Sequence, residues 1–252
     1  MRRAVVVTGA ARGIGAAIGR QLADVGYAVT GLDRSGTVHD TVASWPGDGH
    51  VALVGDAADE DLLARACLEA HERDGLHGFV ANAGLARPGP SADYARSDWE
   101  ELLTVNLTAP FLGARAARPH LVAGGSVVMI SSVNATLGMG GRAAYCAAKA
   151  GVNGLVRSLA VEWGSERIRV NAVAPGTILT EMAREFVATG TATFEQYAER
   201  VPMGHSGGPT DVAGAVAFLL SPASTYVTGT VLPVDGGWAV NGVGAPSTAE
   251  QG

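Results

Sequence analysis

The chain has 252 residues, 47% apolar and only 17% charged, and carries a net charge of −6 at neutral pH. Lys and Arg are scattered rather than gathered into a basic face, which argues against a nucleic-acid partner, and no run of eighteen apolar residues offers a membrane span. Two distant cysteines, Cys67 and Cys146, make neither a disulfide framework nor a metal cluster, so the expectation is a soluble, cytoplasmic protein without a metal site.

Arg2 and Arg3 before Ala4–Val7 imitate a signal peptide, but the apolar run is too short for one. Ala4–Thr8 (AVVVT) reads as a strand covered on both faces. Gly15–Val25 fits a helix, with Ile14, Ile18, Leu22 and Val25 on one stripe and Gly26 as its stop. Tyr27–Leu32 is a second strand ending at Asp33, and the crossover after it has room for two helical turns before Pro46. Val51–Val54 is a third strand closed by Gly55 and Asp56, and Asp59 is the expected N-cap of a helix to Arg73. Leu76–Ala81 is a fourth strand running into Asn82-Ala83-Gly84. Ser97 and Glu100 have capping-box spacing for a helix to Arg118, with Pro110 an irregularity inside it. Ser126–Ser131 is a fifth strand, Ala143–Trp163 a long helix, and Arg169–Ala174 a sixth strand ending at Pro175-Gly176. Thr210–Leu220 is a last helix and Thr230–Val234 a seventh strand. Residues 180–207 are polar and glycine-interrupted and read as a mobile flap. The tail, 241–252, is Gly/Ser/Ala-rich and expected to fray. A crossover after each strand predicts one parallel sheet with helices on both faces, in a single domain over 1–240.

Two stretches carry chemistry. In VTGAARGIG, Gly9 permits a sharp turn, Gly13 a close backbone approach to a ligand, and Gly15 tight packing of helix on strand. Exposed N–H groups at the helix start favour a phosphate or pyrophosphate. The spacing is GxxxGxG rather than GxGxxG, so alone it is equally a ligand-free turn. Asp33, at the end of the second strand, can accept hydrogen bonds from ribose hydroxyls and repel a 2′-phosphate, which favours NAD over NADP. Arg12 and Arg34 point the other way, since either can meet a 2′-phosphate; the expectation is NAD, with NADP second.

In YCAAK, Tyr145 and Lys149 share a helix face. An ammonium beside a phenol stabilises the phenolate and makes proton transfer workable near neutral pH. Ser132, beyond the fifth strand, borders the same edge and can hydrogen-bond a carbonyl oxygen. An ordinary surface pair is the bland alternative.

With Thr8-Gly9, Gly13-Ile14-Gly15, Asn82-Ala83-Gly84, Ser132 and Tyr145-x-x-x-Lys149 in that order, the chain resembles the classical short-chain dehydrogenases/reductases over residues 3–238. It departs from the family's NNAG motif only in having Ala81 as the first residue. The resemblance implies a single-domain Rossmann fold, three-layer α/β/α with a seven-stranded parallel sheet. It also implies an NAD-dependent enzyme interconverting a secondary alcohol and a ketone. Asn106, Ser132, Tyr145 and Lys149 would form its catalytic tetrad, with Asn106 anchoring a water, and Lys149 bridging the nicotinamide ribose and lowering the Tyr145 pKa. Asp56 with Ala57 would meet adenine, and Pro175, Gly176, Thr177, Ile178 and Thr180 the nicotinamide carboxamide. Val234-Asp235-Gly236-Gly237 resembles the family's C-terminal strand motif, and the likeness implies a homotetramer.

The substrate pocket is expected from Leu85, Asn134, Leu137, Met139, Arg142 and His205, with Phe186 and Phe194 on the flap. Leu and Met suit a cyclic or aliphatic molecule. Arg142 has two readings, a partner for a substrate carboxylate or a solvated arginine near a loop, and the second is the commoner. Two rival functions are a 3-oxoacyl thioester reductase using NADPH and a catalytically silent dinucleotide-binding sensor or scaffold.

Overall fold

A run of β-branched residues can be a stable strand only if both of its faces are covered. The chain's first strand, β1 (Arg3–Thr8), meets that condition in the computed structural model, which describes residues 3–181, 183–184, 196 and 198–241. Alternation splits its side chains between two layers. Val5 and Val7 pack with Ile18 and Leu22 of α1 (Gly13–Asp24) and with Val212, Val216 and Leu219 of α7 (Pro209–Leu220). Ala4 and Val6 pack with Leu63 of α3 (Glu60–Asp74), Ala114 of α5 (Ala109–Ala117), and Val152 and Val156 of α6 (Ala143–Trp163). Each fully buried valine or leucine in these layers contributes about 1.5–3 kcal/mol.

The remaining strands are β2 (Tyr27–Asp33), β3 (Val51–Val54), β4 (Leu76–Ala81), β5 (Leu121–Ile130), β6 (Arg169–Pro175) and β7 (Val231–Val234). They lie in the order β3-β2-β1-β4-β5-β6-β7, and all pairs are parallel. The expected seven-stranded Rossmann-type α/β/α sandwich is therefore present. Strand order reverses between β1 and β4, which opens a crevice beyond their carboxyl ends. The crossover between β2 and β3 is the short helix α2 (Val38–Ala43).

Local signals hold in several places. Gly26, at φ +88°, stops α1, and the Asp59 carboxylate accepts from the Leu62 N–H to cap α3. Others fail. α4 (Arg96–Leu103) begins before Ser97 and is preceded by the extended Ala95, so the expected Ser97–Glu100 box does not form. Glu100 instead pairs with Arg96 at 2.7 Å. The helix is interrupted by a π turn over 104–108 just before Pro110. Proline has no N–H to give the carbonyl four residues back, that of Asn106, which accounts for a break there. β5 starts five residues earlier than expected, and Leu121 already pairs with Leu76 before a register shift. Phe186, Phe194 and the tail beyond Asn241 lie outside the described residues, as do residues 182, 185–195 and 197 of the 180–207 stretch.

Candidate active site

The glycine turn connects β1 to α1 at the strand-order reversal. Gly9 and Gly13 both have positive φ, +68° and +57°, which a side chain tolerates poorly. Gly15 is a packing glycine: a Cβ there would lie 2.0 Å from the Gly9 carbonyl oxygen and 2.5 Å from Asn82 Nδ2. Asn82 braces the turn by donating from Nδ2 to the carbonyls of Thr8 (2.9 Å) and Gly9 (3.0 Å). The Thr8 hydroxyl accepts from the N–H groups of Asn82 and Ala83, both at 3.1 Å. Replacing Gly15 with alanine forces backbone to move and is expected to cost about 1–3 kcal/mol. Thermal denaturation checks this, together with weaker cofactor binding.

From this turn a cleft of about 290 Å³ runs along the sheet edge. Gly9, Arg12, Gly13, Ile14, Gly15, Asp33, Asp56, Ala57, Asn82, Ala83, Gly84, Leu85, Asn106, Tyr145, Lys149 and Thr180 all line it. The residues fit a dinucleotide: α1 has no acidic side chain in its first turn, so its N-terminal N–H groups and positive dipole end face the cleft uncompensated. Both carboxylate oxygens of Asp33 accept backbone N–H groups, Ala11 at 3.0 Å and Ser35 at 2.9 Å. Arg34 stands 3.8 Å from Asp56, and Arg12 pairs with Glu181 across the cleft mouth at 2.9 Å.

At the other end of the cleft stand Tyr145, Lys149 and Asn106, with Ser132 beside the phenol in an adjoining cleft. Lys149 is 3% exposed and donates from Nζ to the Ile130 carbonyl at 2.7 Å. Burial pulls its pKa down to about 8. The Tyr145 phenol is pushed above its usual value by burial, against lowering by the Ser132 hydroxyl and the Arg142 charge. The Lys149 ammonium, held by the Ile130 carbonyl, stands with Nζ 5.7 Å from the centroid of the Tyr145 ring. Asn106 is fully buried, donates from Nδ2 to the carbonyls of Leu85 and Leu102, and leaves Oδ1 unpartnered beneath Gly84.

Ser131 and Asn153 were missed by sequence reasoning. The Ser131 hydroxyl donates to Asn153 Oδ1 at 2.6 Å, tying α6 to the end of β5. A signal existed, since Asn153 continues the Tyr145–Lys149 stripe at the next i+4 step.

A second cleft, about 170 Å³, adjoins the first. Ile14, Ile130, Tyr145 and Thr180 line both, so the phenol stands at their junction. Ser132, Asn134, Met139, Arg142 and the Pro175–Ile178 segment line the second cleft, as does Trp238, which the sequence did not single out. Leu85 lies in the first cleft only. His205 lines neither: it is exposed after the turn that Gly204 closes onto Val201, with its ring against the Ser206 carbonyl. Leu137 is also absent from both linings. Tyr27 is buried elsewhere, its hydroxyl donating to the Leu220 carbonyl.

A family model described as enoyl-(acyl carrier protein) reductase matches residues 9–239. The chain is 41% identical over 245 residues to cis-4-hydroxycyclohexanecarboxylate dehydrogenase of Sinomonas cyclohexanicum, spanning 94% of this chain and 96% of that protein. Among solved structures it is similar to a candidate NAD(P)-dependent gluconate 5-dehydrogenase from Beutenbergia cavernae. The TM-score is 0.88 at 35% identity, over 94% of this chain and 97% of that one. A candidate 2-deoxy-D-gluconate 3-dehydrogenase from Agrobacterium tumefaciens gives 0.85 at 37% identity, over 94% and 96%. Both structures hold NADP, the first at low occupancy. They overturn the ranking of NAD above NADP. The physical reason lies in the first cleft, where Asp33 is already engaged by two backbone N–H groups and Arg12 and Arg34 stand at the same wall. The protein is an NAD(P)-dependent oxidoreductase of small cyclic or aliphatic alcohols and ketones, and it belongs to the classical short-chain dehydrogenase/reductase family.

Proposed function

We propose that Tyr145 is the general acid and base of this reaction, moving one proton to or from the substrate oxygen. The observation that carries the reading is the position of Tyr145 among the residues shared by the two clefts. A nicotinamide dinucleotide, NAD or NADP, seated in the first cleft supplies the hydride exchange when bound. In reduction the Tyr145 phenol gives its proton to the oxygen of the ketone; in oxidation the phenolate takes the proton of the alcohol. The Ser132 hydroxyl, close enough to lower the phenol's pKa, steadies the same oxygen. Lys149 holds positive charge beneath the site, and Asn106 keeps a water at the break in its helix, supported by the missing Pro110 donor.

The roles of the glycine turn, Asp56, Ala57 and the Pro175–Thr180 segment in seating the dinucleotide belong to the same reading. So does closure of residues 180–207 over the substrate. A cytoplasmic homotetramer completes it, with support from apolar side chains left exposed on three helices: Trp99 on α4, Phe111 on α5 and Val161 on α6.

Steady-state turnover with NAD and with NADP, across secondary alcohols, their ketones and a 3-oxoacyl thioester, tests the reading. The expected result is turnover of small cyclic or aliphatic substrates. Activity confined to the thioester would replace it with the acyl-reductase alternative, and no activity on any substrate would refute it.

A further inference from the structure

We propose that Asn134 accepts a hydrogen bond from a second hydroxyl of the substrate. The substrates are then small secondary alcohols that carry a further hydroxyl on the neighbouring carbon, or the matching hydroxyketones. The inference rests on the reading of Tyr145 given above and adds the group that stands beside the reacting carbon.

Asn134 is 6% exposed and lines the second cleft together with Ser132 and Tyr145. A buried polar group is ordinarily hydrogen-bonded, and an acceptor left without a donor costs about 1–3 kcal/mol. Here the two ends of the amide differ. Nδ2 donates to Met139 Sδ at 3.8 Å, a weak thioether acceptor, whereas Oδ1 accepts from none of the described residues. Oδ1 is not sealed in the interior as Asn106 Oδ1 is, so its open side is the cleft that Asn134 lines. The backbone holds this amide close to Ser132. Ser132 Oγ accepts the Asn134 N–H at 3.1 Å, and the Ser132 carbonyl accepts the Ala135 N–H at 3.0 Å, closing the turn over Val133–Ala135. The hydroxyl that steadies the reacting oxygen and the amide two residues on are therefore parts of one turn.

An amide oxygen has lone pairs and no proton, so its complement is a donor. The side chains of Ile130, Val133 and Ile178 in the same cleft have none to give, and the donor comes with the ligand. With the reacting oxygen at Tyr145 and Ser132, the adjoining carbon lies toward Asn134, and a hydroxyl on it can donate to Oδ1. The apolar walls take the rest of the skeleton. An alcohol that lacks this hydroxyl strips water from Oδ1 and gives nothing back. That loss separates two substrates of equal size.

The test compares 1,2-cyclohexanediol with 2-fluorocyclohexanol, each as cis and trans isomers, using the intact enzyme and saturating cofactor. Fluorine resembles hydroxyl in size and electron withdrawal but donates no hydrogen bond. The parent is expected to favour the diol of one configuration in kcat/KM by about 10-fold, the effect of one hydrogen bond made and one unpaired acceptor avoided. In Asn134→Leu that ratio falls toward one, and Asn134→Asp, which keeps an acceptor oxygen, retains at least part of it. A ratio unchanged in Asn134→Leu, with both rates falling together, overturns the proposal, because the amide then only shapes the turn. A parent ratio near one in both configurations overturns it as well, whether or not the variants fold, since water then satisfies Oδ1. The role of Tyr145 is read separately. In Tyr145→Phe both alcohols lose turnover, while the diol still binds the enzyme–cofactor complex about 10-fold tighter than the fluoroalcohol. Turnover that persists in Tyr145→Phe refutes the general acid and base and leaves the ratio as the measure of Asn134. Where the parent turns over neither alcohol, the same binding comparison decides: a tighter diol supports the hydroxyl site, and equal binding overturns it.

Discussion

Replacing Tyr145 with phenylalanine is expected to lower kcat about 10²- to 10⁴-fold, the range of a lost general acid or base, while cofactor binding persists. The substitution removes one oxygen and leaves the ring. That ring packs against a cluster of Leu102, Ala144 and Ala148 and faces the cations of Lys149 and Arg142, so the fold around it stays intact. The pH dependence sharpens the test. Burial raises the phenol's pKa above its ordinary value, so the group holds its proton throughout the neutral range. Reduction needs the protonated form and proceeds there. Oxidation needs the phenolate, so its rate climbs as pH rises toward that elevated pKa, and Tyr145→Phe flattens the climb. Initial rates in both directions, read from the absorbance of the reduced nicotinamide, check both statements. Rates within a few-fold of the parent would remove Tyr145 from the chemistry.

Why the convergence of Ser132, Tyr145 and Lys149 could be read from the sequence, and the cofactor preference could not, follows from the range of the interactions. Tyr145 and Lys149 are set by helical spacing alone, and Ser132 by its place just after a buried strand. The core was legible for a similar reason, because an uninterrupted β-branched run demands cover on both faces. Cofactor preference is different. Asp33 Oδ2 accepts a hydrogen bond from Ala11, twenty-two residues earlier, and that contact exists only after the first two strands have paired. The charge of Asp33 was visible in the sequence, but not how that charge was already engaged. The capping box failed on the same ground: Ser97 and Glu100 had the right spacing, yet the extended chain before them starts the helix at Arg96. Trp238 reaches the second cleft from beyond β7, the edge strand beside β6, so only the sheet order places it there.

Lys149→Met is expected to stabilise the folded enzyme near neutral pH by about 1–3 kcal/mol while turnover falls at least about 100-fold. The stabilising term comes from desolvation. Folded, the ammonium titrates near 8; unfolded, it returns to the ordinary lysine value of 10.5. Below pH 8 both states carry the proton, and the native state bears the full cost of holding a charge among buried neighbours. Between 8 and 10.5 the unfolded chain binds the extra proton, so the parent gains stability as pH rises. Methionine removes the charge and keeps most of the length, so its advantage is largest at pH 7 and vanishes above 10.5. The opposing term is the loss of the 2.7 Å hydrogen bond to the Ile130 carbonyl, which keeps the gain below the full desolvation cost. Urea unfolding of parent and variant at pH 7 and pH 10 measures the difference. Equal stability at pH 7, or an advantage that grows with pH, would mean that the protein does not strain to keep this lysine charged. The expected result is the converse: the cation beneath Tyr145 is retained at a cost to the fold, and the return is in proton transfer.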